Sequence, residues 1–316
     1  MQKRRLGRTD LEIAPLVLGG NVFGWTADEK ASFDILDRFV NAGLNAVDTA
    51  DAYSRWVPGN KGGESETIIG RWMKSRGNRD KVVVITKVGS DMGQGKKDLS
   101  GAYIAKAVED SLKRLQVDTI DLYLSHWPDP STPYDETLGA YRKLLEAGKV
   151  RNIGCSNLDA GQLDAALKVA SQKKLPRYEV LQPEYNLYDR SSFDGPLRDL
   201  CIKEEIGVIT YFSLAKGFLS GKYRSEADLG KSPRGGGVAH YLDPRGKRIL
   251  AALDAVSARH HATQAEVALA WVVARPGVTA PISSATTIDQ VNSLIRAVQL
   301  QLTAADIKEL DQASAP

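Results

Sequence analysis

Cysteine is nearly absent: the chain has two, Cys155 and Cys201, in 316 residues. Two thiols cannot build the disulfide framework of a small secreted protein, and they suit a reducing compartment. There is no apolar run long enough to span a bilayer, and the charged, polar opening Met1 to Asp10 lacks a signal core. The expected setting is cytoplasmic, with no membrane partner. Charge of one sign is also missing, because 42 basic residues face 39 acidic ones for a net charge of +3. Such a balance makes no broad basic field, so nucleic acid is not an expected partner. Histidine is sparse, and the adjacent His260 and His261 lack metal-ligand spacing. No Pro/Ser-rich linker or composition break divides residues 1–316, which read as a single domain. A GxGxxG fingerprint is absent too: Gly19-Gly20-Asn21-Val22-Phe23-Gly24 does not fit it, which disfavours a doubly wound sheet.

What is present is a regular alternation. Lys3 to Leu6 and Leu11 to Ala14 flank Gly7-Arg8-Thr9-Asp10 as a hairpin. Apolar, β-branched runs follow at Pro15 to Gly20, Asn45 to Val47, Val82 to Val88, Ile120 to Leu124, Val150 to Cys155, Val180 to Gln182, Gly207 to Thr210 and Val278 to Ile282. Helical patterns separate them, at Asp28 to Ala42, Glu64 to Lys74, Gly101 to Leu115, Tyr134 to Ala147, Ala160 to Gln172, Ser192 to Glu205, Pro244 to Arg259 and Thr263 to Ala274, with another at Thr287 to Val298. Ser100, Asp159 and the Thr263–Glu266 pair read as caps, while Gly43, Gly148 and Gly207 stand where helices should stop. Eight such units predict an α/β protein, a closed (β/α)8 TIM barrel whose site lies on loops at the strands' C-terminal ends. Two connections are long, Arg55 to Gly63 and Leu214 to Asp243, and loops of that length usually cover a site.

If the barrel closes, polar residues far apart in sequence converge at one mouth. Asp48 ends the second strand and Tyr53 follows in its turn. Lys87 sits inside the apolar third strand, where a lysine is costly unless paired, and Asp48 is its natural counter-ion. His126 ends the fourth strand. Alone, Asp48 could be a helix cap, and His126 a satisfied core histidine. Together they suit carbonyl reduction by hydride transfer. Negative charge grows on the carbonyl oxygen and a proton must arrive there. A tyrosine, with an ordinary pKa of about 10, is a sluggish acid until a nearby ammonium favours its phenolate. In this reading Tyr53 is the acid, Lys87 its activator, Asp48 the lysine's anchor and His126 a neutral donor that orients the carbonyl. A metal at Asp48 and Asp51 would be opposed by Lys87, so none is expected. Cys155, in an apolar strand, reads as an inert buried thiol.

These residues resemble the catalytic tetrad of the aldo-keto reductases. The likeness covers nearly the whole chain, through Gly43-Leu44-Asn45-Ala46-Val47-Asp48-Thr49-Ala50 with Tyr53, Gly63-Glu64-Ser65-Glu66 with Gly70, Gly148-Lys149-Val150-Arg151-Asn152-Ile153-Gly154-Cys155-Ser156-Asn157 and Gln182-Pro183-Glu184-Tyr185-Asn186-Leu187. The Tyr185-Asn186-Leu187 block and the loop Leu214-Ala215-Lys216-Gly217 are similar to the bacterial and potassium-channel β-subunit-like branch.

The resemblance implies a nicotinamide cofactor lying extended across the barrel mouth. Ser156, Asn157 and Gln182 would hold its carboxamide, and Tyr211 would stack on its ring, with Gly20, Asn21 and Asp48 beside it. Ser213, Leu214, Ala215, Lys216, Gly217 and Gly221 would meet the pyrophosphate. Ile282, Ser284, Thr286 and Gln290 would meet the adenosine end. There, hydroxyls and Gln290 stand where the family often has a glycine and an arginine, and Leu294 replaces a frequent Asn. Backbone N–H groups opening the next helix can still receive a phosphate. The expected cofactor is NADP(H), with a preference of moderate size, and NAD(H) as the alternative. Trp25, Trp56 and Trp127, with Tyr53 and His126, would wall a substrate pocket for aldehydes or ketones with apolar or flat bodies. The expected partner is a small-molecule carbonyl substrate, and the protein could be a monomer or a homo-oligomer.

Overall fold

The structure is a computed structural model and describes residues 2–315. Eight parallel strands close on themselves: β3 (Val17–Gly19), β4 (Ala46–Asp48), β5 (Val83–Val88), β6 (Ile120–Ser125), β7 (Val150–Ser156), β8 (Val180–Gln182), β9 (Gly207–Thr210) and β10 (Ala280–Ser283). The ring is completed by β10, which pairs with both β9 and β3. The expected (β/α)8 TIM barrel is what forms. Around it run α1 (Glu29–Asn41), α2 (Glu64–Arg76), α3 (Gly101–Leu115), α4 (Tyr134–Glu146), α5 (Ala160–Gln172), α6 (Pro196–Lys203), α7 (Pro244–His260), α8 (Gln264–Val273), α9 (Ile288–Ala297) and α10 (Ala304–Ser314). No described helix is long and apolar enough to cross a membrane.

Strand residues alternate between two cores, as a barrel requires. Val17, Ala46, Ile85, Leu122, Leu124, Val180, Ile209 and Ala280 fill the lumen, while Leu18, Val47, Val84, Tyr123 and Leu181 face the helices. The hairpin β1 (Arg4–Arg5) and β2 (Glu12–Ile13) plugs the N-terminal end, adding Leu6, Leu11 and Ile13 to the lumen core. It is pinned there by Arg4, which donates to the carbonyls of Val273 and Thr279 at 3.1 Å each.

Several boundaries differ from the sequence reading. The hairpin arms shorten to two residues each. Gly207 does not stop a helix: Glu205, at φ 54°, takes the left-handed position after α6, and Gly207 opens β9. Its small size serves the plug instead, because a Cβ there would come within 2.7 Å of the Gly7 nitrogen. The helix expected from Ser192 begins at Pro196, since Gly195 holds φ 92° and ψ −130° and proline suits the first helical position. Helix α10, opened by a Thr303–Asp306 capping box, went unread in the sequence. The expected caps at Ser100, Asp159 and Thr263 all form. The long connection after β9 is a chain of short 3-10 turns.

Candidate active site

Strand register sets the site. Gly19, Asp48 and Ile85 are aligned across β3, β4 and β5, so Lys87 lies two residues beyond Asp48's level and points into the same lumen. Lys87 is fully buried, and each ammonium proton has an acceptor: Asp48 Oδ2 at 2.7 Å, Thr49 O at 2.7 Å and Tyr53 OH at 2.8 Å. Tyr53 is folded back over the mouth by a tight turn that includes Ser54, at φ 69°, whose hydroxyl donates to Phe23 O at 2.7 Å. The phenol's own proton points at Asp48 Oδ2, 3.2 Å away. Gln182 Nε2 donates to Asp48 Oδ1 at 2.8 Å, so both carboxylate oxygens are held. His126 stands opposite, its ring centroid 6.0 Å from that of Tyr53.

The electrostatics follow from burial. Burial pushes His126 well below the usual imidazole value, and the charges of Lys87 and Lys97 add to this, so the ring is neutral. Ser90 Oγ lies 2.9 Å from His126 Nδ1. With the serine donating there, Nε2 carries the hydrogen and faces the cleft as a donor. Burial lowers Lys87, while Asp48 opposes the shift. Burial also raises Tyr53 well above an ordinary phenol, with the charge and hydrogen bond of Asp48 adding to it. This corrects the expectation that the lysine lowers the resting phenol. Dehydration of a phenolate and the adjacent carboxylate outweigh an ammonium already committed to Asp48, so the resting site stores the proton on Tyr53.

A cleft of about 1040 Å³ runs from these residues to the start of α9. It is lined by Asp48, Tyr53, His126, Trp56, Trp127, Ser156, Asn157, Gln182 and Tyr211 at one end, and by Ile282, Ser284, Thr286, Gln290 and Leu294 at the other, with Asn21, Ser213, Leu214, Lys216 and Gly217 between. Lys87, fully buried, lies beneath the lining, and four other expected residues do not line the cleft either. Gly20 sits behind, its carbonyl taken by Ser65 Oγ at 2.8 Å. Ala215 is fully buried, Gly221 abuts Gln264 and Arg224, and Trp25 stands behind Trp56 with ring centroids 5.6 Å apart. Trp127 stacks on His126 at 5.6 Å. Tyr211 is tied down through its hydroxyl, which donates to Asn157 Oδ1 at 2.7 Å, and Asn157 Nδ2 reaches His126 O at 2.9 Å. Gln290 does not point free: its Oε1 accepts from Thr286 N at 2.8 Å and from Thr286 Oγ1 at 3.2 Å.

The cleft's chemistry fits a dinucleotide. Lys216, Lys222, Lys231 and Arg234 line it, and Arg234 Nη2 is buried without a hydrogen-bond partner among the described residues. Phe212, Ala215 and Lys216 hold φ values of 50°, 46° and 56°, strained for residues with side chains. Sequence reading missed Ser90, which follows a left-handed Gly89, and Lys222, Lys231 and Arg234, which lie on a path without periodicity. No cluster of three or more His, Cys, Asp or Glu able to hold a metal occurs among the described residues.

A profile of the Aldo/keto reductase family matches residues 15–315. The uncharacterized oxidoreductase YrpG of Bacillus subtilis is 36% identical over 313 residues, covering 96% of this chain and 92% of that protein. The aldo-keto reductase YhdN of the same organism is 32% identical, covering 93% and 86%. A probable voltage-gated potassium channel subunit beta of Oryza sativa is 31% identical, covering 95% and 92%. With the barrel and its buried Asp48–Lys87 pair in place, these matches settle the family: the chain belongs to the aldo/keto reductases and is an NAD(P)H-dependent oxidoreductase of carbonyl compounds.

Proposed function

We propose that this chain, acting as one cytoplasmic domain, reduces aldehydes or ketones to alcohols with NADPH and with Tyr53 as the proton donor. The observation that carries this reading is the Lys87 ammonium, which spends its three protons on Asp48, Thr49 and Tyr53. A bound reduced nicotinamide supplies the hydride. His126, neutral and donating from Nε2, holds the carbonyl oxygen beside the Tyr53 hydroxyl. As charge builds on that oxygen, the phenol's proton leaves Asp48 for it, and Lys87 stabilises the phenolate left behind. Asp48 keeps the ammonium charged and aimed throughout. Trp56 and Trp127 suit a substrate with an apolar or flat body.

Toward the cofactor, Ser156, Asn157 and Gln182 offer the polar groups nearest the tetrad, and Tyr211 a ring face. Lys216, Lys222 and Arg234 offer positive charge midway. At the far end the hydroxyls of Ser284 and Thr286 and the first N–H groups of α9 would receive a 2′-phosphate. Without a guanidinium there, the preference for NADPH over NADH is moderate.

The test is NADPH oxidation against a broad panel of carbonyls, repeated with Tyr53→Phe. Reduction should fall by about 10²- to 10⁴-fold in the variant while cofactor affinity persists. Near-normal turnover of the variant would sink the proton-donor role, and a lower dissociation constant for NADH than for NADPH would reverse the cofactor choice. The likeness to channel β subunits favours a second reading, a cofactor-holding regulatory subunit with slow turnover. Sustained steady-state turnover on the panel separates the two.

A further inference from the structure

Between the barrel wall and the helices, directly behind the tetrad, lies a second polar cluster that the reaction above does not use. Asp51 follows β4 by three residues, and its backbone N–H reaches Lys87 O at 3.3 Å. Its side chain is 3% exposed, and both carboxyl oxygens are buried without a hydrogen-bond partner among the described residues. The hydroxyl of Tyr123, on the outward face of β6, is buried and unpartnered as well. Glu66 of α2 faces Asp51, and Arg114 and Tyr103 of α3, Lys87 of β5, Tyr123 of β6 and, further off, Tyr141 of α4 complete its ionisable surroundings.

The charges do not balance if Asp51 ionises. Glu66 accepts from Arg114 Nε and from Thr86 Oγ1, both at 2.6 Å, so the guanidinium already has its carboxylate. Lys87 already has Asp48. With Asp48 and Glu66 each already holding a cation, an ionised Asp51 would be a third carboxylate against two cations. Such a buried and uncompensated charge is among the costliest things a protein interior can hold. Burial, helped by the charge of Glu66, accordingly raises the Asp51 carboxyl to about 8.

We propose that Asp51 is a positioning residue for the reaction: kept as the neutral acid beside Tyr123, it leaves Lys87 answering to Asp48 alone. Its ionisation sets a second negative charge behind the ammonium and opposes the phenolate that forms on Tyr53 during reduction. Asp51 passes no proton to the substrate; it acts through the field at Lys87 and Tyr53. This rests on Tyr53 being the proton donor.

Asp51→Asn keeps the shape and cannot ionise. In the wild type, carbonyl reduction should fall through a limb near about 8 that the variant lacks. For alcohol oxidation, which needs the phenolate, the alkaline rise should move down by about one unit in the variant. A structural role alone would scale both rates equally at every pH, and that result, or identical profiles, overturns the proposal. Two readouts do not need turnover. Ultraviolet difference titration, assigned with Tyr53→Phe, should show phenolate forming at lower pH in Asp51→Asn, and an unmoved midpoint counts against the coupling. Thermal stability of the wild type should fall relative to the variant as pH rises from the ordinary carboxyl range to about 8. The folded state there keeps a proton that the unfolded chain has released. Parallel stability curves would overturn the neutral acid. If no carbonyl is reduced at any pH, the reading of the reaction fails, and these two measurements still decide the state of Asp51.

Discussion

The two ends of this barrel are built from the same eight strands and filled in opposite ways. At the N-terminal end, Leu6, Leu11 and Ile13 close the lumen, and backbone passes so near backbone that Gly7 and Gly207 have no room for a side chain. At the C-terminal end the lumen holds Asp48, Lys87 and Gln182, all but fully buried and bonded to one another. One end draws its stability from excluded water, the other tolerates buried charge for the sake of chemistry. The contrast teaches that substitutions at the two ends should separate stability from turnover.

The largest effect should come from Lys87→Met. It leaves Asp48 as a buried charge without its partner, at a cost of about 3–5 kcal/mol, and it removes the support of the Tyr53 phenolate. The denaturant midpoint and the rate of carbonyl reduction should therefore fall together; wild-type stability would show that the pair is not a strained feature of the fold. Next is Leu11→Ala in the plug, expected to cost about 2–5 kcal/mol through lost burial and a cavity. Its folded fraction should keep wild-type kcat, and a change in kcat would mean that the two ends are coupled. Gly207→Ala should cost about 1–3 kcal/mol by overpacking against Leu6 and Gly7, again without kinetic change. The smallest effect is Ser90→Ala at the chemical end. Losing the partner of His126 Nδ1 should lower kcat/KM by about tenfold and cost only about 1 kcal/mol of stability, the worth of one hydrogen bond. A normal kcat/KM would show that the serine does not set the imidazole's donor.

The same contrast explains what could be read from the chain beforehand. Periodicity announces elements that bury apolar faces, so all eight strands and nine of the helices were legible, as was Lys87, whose charge is conspicuous inside an apolar strand. Asp48 followed from Lys87 because buried charge demands a partner. Gly207 was misread because a glycine after a helix and a glycine under a plug look alike in one dimension; only the hairpin packed against it tells them apart. Ser90 and Arg234 gave no sign, since their roles depend on where irregular backbone returns to the mouth. The direction of Tyr53's shift was also beyond reach, because dehydration competes with neighbouring charge and only coordinates show which prevails.

Arg4, tied to the carbonyls of Val273 and Thr279, gives the fold a temporal asymmetry. The hairpin that carries Arg4 finds its seat only when partners 269 and 275 residues further along the chain have been made. Until β10 exists, β3 and β9 are raw edges and the plug's leucines have nowhere to go. Such long-range closure makes for high contact order and slow folding, with an interval in which unfinished chains can cross-pair. Folding of this barrel is thus committed late, and the hairpin is a clasp that only β10 and the turn before it can fasten.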